Sequence, residues 1–349
     1  MRILLIAFLF YSCQFGLTED IVYPTFTVNV NDIGIIGDGI TNNSNSIQDL
    51  IDSTPEGKTL YFPVGIYILD TTLVFRKTLN LQGDGEFSVI KTVNDVSALN
   101  FEGTTDDKLN GLNIKDLKIV NGFTGTPTAQ GVKIKYSSKL KIEGVTIIKF
   151  YTNLAITQSY NYDVTGCSIN GYWNVGIRIN NTDPTLVDWG DGFITRCTIS
   201  SDKGFASIYQ SNSGGLKIST NKFNGGGGAN GPQYHYYYSG TAPTVDALIS
   251  NTSFENFTRS AIYIDKGTGT FKDVTISGCQ MAYGSSAYPT IYMKGIDGIS
   301  ITGNVMRGTS TSAMAIKLEN CNNGTVSNTY TYYSVNPVTQ INCTNVTIK

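Results

Sequence analysis

The chain has 349 residues, of which 15% are charged and 40% hydrophobic, with 37 glycines and a formal net charge of −2 at neutral pH. That balance excludes a general phosphate-binding surface, which needs clustered lysine and arginine, so nucleic acid is not an expected partner. Heptads and long charged runs are absent, and the abundance of Gly, Asn, Thr, Ser and Tyr points to a turn-rich all-β protein.

The chain opens Met1-Arg2-Ile3-Leu4-Leu5-Ile6-Ala7-Phe8-Leu9-Phe10-Tyr11-Ser12-Cys13, one positive charge followed by an apolar run too short to span a bilayer. Residues 1–18 therefore read as a signal peptide or membrane-proximal segment. Ser12-Cys13 resembles a bacterial lipoprotein cleavage site, although Phe10 and Tyr11 are bulkier than that motif prefers. The expected location is extracellular or on a cell surface, with membrane anchoring through the N-terminus, or on a virion surface if the segment is retained in a larger assembly.

The next stretch reads Val30-Asn31-Asp32-Ile33-Gly34-Ile35-Ile36-Gly37-Asp38-Gly39-Ile40-Thr41, then Ser46-Ile47-Gln48-Asp49-Leu50-Ile51-Asp52, then Leu60-Tyr61-Phe62-Pro63-Val64-Gly65-Ile66-Tyr67. It resembles the N-terminal signature of the pectate lyase superfamily of right-handed parallel β-helices, in the form found in many phage tailspikes and surface polysaccharide enzymes. Asn42-Asn43-Ser44 stands where that family usually has Asp-Asp-Thr, which keeps side-chain oxygens to cap a helix beginning near Ser46. The resemblance implies an N-terminal cap and first coils over 24–92, with the short helix plugging the open end of the solenoid, and a parallel β-helix over 93–349.

From Leu117 to Thr329 one phrase recurs nine times: an apolar residue, a polar one, a loose position, a fixed site, then polar and apolar again. Ile194-Thr195-Arg196-Cys197-Thr198-Ile199 and Ile301-Thr302-Gly303-Asn304-Val305-Met306 are examples, and the fixed sites lie 22 to 31 residues apart. Such a period marks a solenoid, and alternation at period two makes its unit β. With the resemblance, the expected fold is all-β: a single-stranded right-handed parallel β-helix of about ten coils. Cys167, Cys197 and Cys279 occupy the fixed site, so they read as free, inward rungs rather than disulfides.

A second phrase follows in each coil, as in Gly176-Ile177-Arg178-Ile179 and Ala261-Ile262-Tyr263-Ile264, and reads as a third strand with its central residue outward. Stacking the coils aligns Lys133, Thr157, Arg178, Tyr209, one of Tyr234 to Tyr238, Tyr263, Tyr292 and Lys317 in one outward column. Tyr236 represents the second of the tyrosine strands, and Asp265, Lys294 and Glu319 lie two positions after Tyr263, Tyr292 and Lys317. In the pectate lyase family this strand carries the oligosaccharide wall. Tyr209, Tyr236 and Tyr292 could offer flat ring faces to sugars, and Lys133, Lys294 and Lys317 could hold acidic groups beside Glu319. A tyrosine ladder that only stabilises stacked strands is the other reading.

The loop Asn224-Gly225-Gly226-Gly227-Gly228-Ala229-Asn230-Gly231 leads to His235, the one histidine of the chain, and reads either as a lid or as a long surface turn. Arg178, His235, Tyr263 and Asp265 are the candidate catalytic residues, with His235 suited to general-base work near neutral pH. Asp183, Asp188 and Asp191 share one loop and either hold Ca²⁺, as the resemblance allows, or cap turns. The polygalacturonase set is missing: Asn181-Thr182-Asp183 matches its first element, but the later Gly-His-Gly and Arg-Ile-Lys do not occur. Two functions stay open, a polysaccharide lyase or glycosidase and a non-catalytic glycan-binding spike or adhesin, the latter in particular as a homotrimer packed side by side.

Overall fold

A computed structural model describes residues 27–181, 190–226, 230–241, 244–267, 271–284, 287–307, 314–332 and 337–349. The expected leader, 1–18, lies outside them.

One bend explains the recurring phrase. Its loose position carries the left-handed residue of each coil: Asp116, Gly144, Gly166, Arg196, Thr220, Asn251, Gly278, Gly303 and Asn328 all have positive φ. Gly, Asn and Asp take that geometry at low cost, whereas a β-branched residue such as Thr220 does so only under strain. The bend carries the chain from a strand of one sheet to a strand of the next and turns the fixed site inward.

From Cys167 to Asn304 the fixed site hydrogen-bonds across the coils. Asn221 accepts the backbone N–H of Cys197 at 2.8 Å and donates to the carbonyl of Ile194 at 2.7 Å. Asn304 does the same for Cys279 and Ile276, at 2.9 and 3.0 Å. Cys197 takes the equivalent place below Cys167, its sulfur accepting the Cys167 N–H at 3.4 Å and facing the Val164 carbonyl. Asn, Thr and Cys are thus interchangeable donor–acceptor rungs, which is why Cys167, Cys197 and Cys279 are buried and free of disulfides. Asn304 is fully buried, so Asn304→Ala strands an N–H and a carbonyl. Each orphan costs about 1–3 kcal/mol, and urea unfolding is expected to lose at least about 2 kcal/mol. A loss below about 0.5 kcal/mol would contradict the rung assignment.

Among the described residues the strands stack into three long parallel sheets and one two-stranded parallel sheet, as expected of a parallel β-helix. Sheet A has 13 strands, from Thr27–Asn29 to Thr344–Ile348, sheet B has 12, from Asp38–Asn42 to Tyr330–Tyr332, and sheet C has 11, from Leu73–Phe75 to Val338–Ile341. Together they make a β-solenoid of about eleven turns. The core is a continuous column; in sheet B, Ile90, Ile119, Ile147, Ile169, Ile199, Phe223, Phe254, Met281 and Met306 succeed one another in register, all buried.

The helix near the N-terminus spans Ser44–Ser53, starting two residues earlier than expected. Its first turn is met by Asn42, whose Oδ1 accepts the Ser44 N–H at 3.0 Å. Asn43 instead donates to the carbonyls of Ile36 and Thr41. Ile47, Leu50 and Ile51 join the core. Gln48 satisfies the edge strand of sheet C, accepting the Val74 N–H at 2.8 Å and donating to the Val74 carbonyl at 2.9 Å, so the side chain takes the place of a neighbouring strand.

Candidate functional site

The outer face of sheet C carries a register running Asn100, Lys133, Ala155, Arg178, Tyr209, Tyr237, Tyr263, Tyr292, Lys317. Two positions of the expected column are corrected. Ala155, not Thr157, lies between Lys133 and Arg178, because Thr157 pairs with Lys135 and Asn180 in the neighbouring column. Tyr237, not Tyr236, is the outward tyrosine of its strand. Tyr236 pairs with Ile208 and Ile262, is fully buried, and donates to the Gln210 side chain at 2.7 Å. Aligning Ser207-Ile208-Tyr209 and Ala261-Ile262-Tyr263 with His235-Tyr236-Tyr237 carries that signal in the sequence itself.

The same alignment buries His235, against the expectation of a surface base. Strict alternation fails at the start of these strands: Ala206-Ser207-Ile208, Tyr234-His235-Tyr236 and Ser260-Ala261-Ile262 are each three buried residues in succession. His235 has no exposure and lies among Phe223, Phe254 and Phe257. Its Nε2 pairs with the Glu255 carbonyl at 2.8 Å and its Nδ1 with the Ser207 hydroxyl at 2.9 Å, which in turn meets the Tyr172 hydroxyl. A neutral ring that donates from Nε2 and accepts at Nδ1 satisfies every partner. Burial pushes its pKa down to about 4, the Glu255 hydrogen bond only partly opposing. This histidine is a structural rung.

On the outward column the rings form a pile. Tyr209 and Tyr237 stack at 5.6 Å and 11°, Tyr237 and Tyr263 at 5.0 Å and 4°, Tyr263 and Tyr292 at 4.7 Å and 21°. Cations close both ends: Arg178 lies 5.1 Å from the Tyr209 ring centre and Lys317 lies 5.3 Å from that of Tyr292. From Arg178 to Lys317 is five strand steps, about 24 Å. Parallel plates at strand spacing cover one another's faces, so the flat-face contact with sugars expected from the sequence is largely closed off inside the pile. What this column turns outward is ring edges and hydroxyls, and the edges are the positive part of an aromatic quadrupole.

Beside the pile, Asp265, Lys294 and Glu319 align across successive strands. Glu319 lies 3.3 Å from Lys317 and 3.7 Å from Lys294, and accepts a hydrogen bond from Tyr292 at 3.1 Å. Burial pulls its pKa upward, but the bonds from Tyr292 and Lys317 prevail and hold it below the usual carboxylate range. Tyr292 is pushed above its ordinary value by burial and by Glu319. Tyr263 is pushed up to about 12, by burial first and then by Asp265. Asp265 accepts the Gly267 N–H at 2.9 Å. Arg178 is half-buried, and its Nε has no partner among the described residues.

The small side chain of Ala155 leaves a gap in the column. A cavity of about 370 Å³ fills it, lined by Asn100, Glu102, Gln130, Lys133, Lys135 and Thr157 among others. Nothing in the sequence marks Glu102 and Lys135, because the phrase that locates the column marks only its central residue. Of the expected calcium cluster, Asp183 and Asp188 lie outside the described residues and Asp191 is exposed. Among the described residues no three His, Cys, Asp or Glu side chains converge as a metal site.

Residues 27–282 match the family described as rhamnogalacturonase A/epimerase, pectate lyase-like. The tail spike protein of Shigella phage Sf6 is 28% identical over 113 residues, 30% of this chain and 17% of that protein. Among solved structures, the Geobacillus virus E2 ORF18 protein superposes with a TM-score of 0.56 at 17% identity, covering 93% of this chain and 60% of that one. DFA-IIIase from Arthrobacter chlorophenolicus A6 superposes with a TM-score of 0.68 at 13% identity, covering 88% of each chain. The chain thus spans less than a fifth of the tail spike's length, and at these identities the structural likenesses speak for the fold alone.

Proposed function

The chain belongs to the rhamnogalacturonase A/epimerase, pectate lyase-like family, and from that premise we propose that it binds an extracellular or cell-surface acidic polysaccharide along the outer face of sheet C. One observation carries the reading: a row of tyrosine edges, closed by Arg178 and Lys317, runs on past the Ala155 gap towards Lys133 and Lys135. Ring edges, phenol hydroxyls and cations all favour an anionic, oxygen-rich ligand. Arg178, half-buried at the head of the row, is a cation that a bound carboxylate would pair with. The phage relative is a tail spike protein, consistent with a place at a cell or virion surface.

Cleavage on the same face is the second reading, favoured by the family's enzymatic members. Its residues would be Arg178, Tyr263 and Asp265, since His235 is enclosed and Glu319 is held ionised, the wrong direction for a general acid. A neutral Tyr263 phenol fits a proton donor better than a base. The test is a panel of acidic and neutral polysaccharides with and without calcium, read by unsaturated-uronate absorbance, reducing-end release and retention of the protein. Binding without product identifies a spike or adhesin; product identifies a lyase or hydrolase. Neither binding nor product with any acidic polymer would overturn the proposal.

A further inference from the structure

A second basic cavity, about 660 Å³, opens where the strands of sheet B give way to the loops that lead to sheet C. Lys91, Lys149 and Lys203 surround it, against one acid, Asp202. None of the three lysines has a salt bridge among the described residues. Their placement is built into the backbone. A Cβ on Gly122 would lie 2.6 Å from Lys91 Cε, so that glycine leaves room for the lysine stem to lie flat. Lys203 is held by its ammonium 3.4 Å from the centre of the Trp173 ring, a cation–π contact that fixes the charge at the cavity wall. Asn121 also lines the cavity and is 3% exposed. Its Oδ1 accepts the Phe123 N–H, while its Nδ2 has no partner among the described residues. A buried amide donor left unsatisfied beside three lysines without a salt bridge costs stability unless something accepts from it.

We propose that this cavity is a second glycan site, taking one or two sugar units that carry a carboxylate or sulfate, and that it acts separately from the tyrosine face. The inference rests on the reading that the chain binds acidic polysaccharide. It adds that one polymer is held at two points, which raises overall affinity without new contacts at either.

The experiment uses the full chain and titration calorimetry with a galacturonic acid hexamer, a neutral galactose hexamer of the same length, and inorganic sulfate. Lys91→Gln with Lys203→Gln is expected to weaken hexagalacturonate binding about tenfold, while Tyr237→Ala alone leaves a residual, salt-sensitive component that the lysine changes abolish. Unchanged affinity in the lysine variant, with loss in Tyr237→Ala, overturns the second site and leaves the tyrosine face standing. Loss in the lysine variant with Tyr237→Ala unaffected does the reverse. Equal binding of the neutral hexamer, or sulfate bound as tightly as the acidic hexamer, overturns the assignment to an acidic sugar.

Discussion

Alanine at position 237 is expected to weaken binding of an acidic polysaccharide about 30-fold, the loss of about 2 kcal/mol that marks an interfacial aromatic hot spot. Tyr237 is one of the two inner plates of the pile, with Tyr209 on one side and Tyr263 on the other. Removing it opens a gap in the strip and frees both neighbours to leave their stacked positions. The same change costs folding stability, since each ring contact is worth about 0.5–1.5 kcal/mol. Stability alone therefore does not separate a binding face from a ladder that only holds strands together. Tyr237→Phe does: it keeps both stacks and removes the hydroxyl that the exposed edge presents. Binding through edges and hydroxyls predicts a loss of about fivefold in the phenylalanine variant, the worth of one hydrogen bond of about 1 kcal/mol, while the fold loses no more than the hydrogen bond between Tyr237 and Ser239. If Tyr237→Ala lowers the unfolding midpoint yet binds glycan as the native chain does, the pile is purely structural.

The second large effect is on pH. His235 is neutral inside the solenoid, with a pKa lowered to about 4, whereas in the unfolded chain it titrates near its ordinary value. Between those values the unfolded chain takes up a proton that the folded one refuses, so stability falls as pH falls. The contribution is fully present above about pH 6.5 and is lost by about pH 4, a total of about 3 kcal/mol. Carboxylates held low by hydrogen bonds, such as Glu319, add their own losses at the acid end of that window. A His235→Gln variant separates the two: it is expected to be less stable at neutral pH but to lose the slope between about pH 6.5 and 5. The same slope in both proteins would mean that the histidine is not enclosed and neutral. Glycan turnover or binding per folded molecule is expected to be unaffected by the change; a loss there would return His235 to the reaction.

Much of the scaffold could be read from spacing because the bend is repeated chemistry. The fixed site and the residue before it answer to backbone geometry in every coil, so Gly303-Asn304 and Arg196-Cys197 were recognisable as equivalents despite sharing no residue. The outward column was legible for the same reason at Arg178, Tyr209, Tyr263, Tyr292 and Lys317. It is not legible at Tyr236 and Thr157, because Tyr236 pairs with Ile208 and Thr157 with Lys135. The three buried residues in succession at Tyr234-His235-Tyr236 break the period-two rule. What no pattern in one sequence conveys is how side chains lean: that the tyrosines stack at a few degrees and so hide their faces, that Glu319 is engaged by two lysines and a phenol, and that Ala155 opens a cavity. Those follow from distances between coils some 25 residues apart.

The most direct test of the central claim is a crystal structure of the full chain with an oligosaccharide cut from whichever acidic polymer it retains in the panel. Sugar units ordered along sheet C, with oxygens in hydrogen-bond reach of Arg178 and of the hydroxyl of Tyr237, are the predicted result. Bound sugar that leaves the outer face of sheet C bare would contradict it.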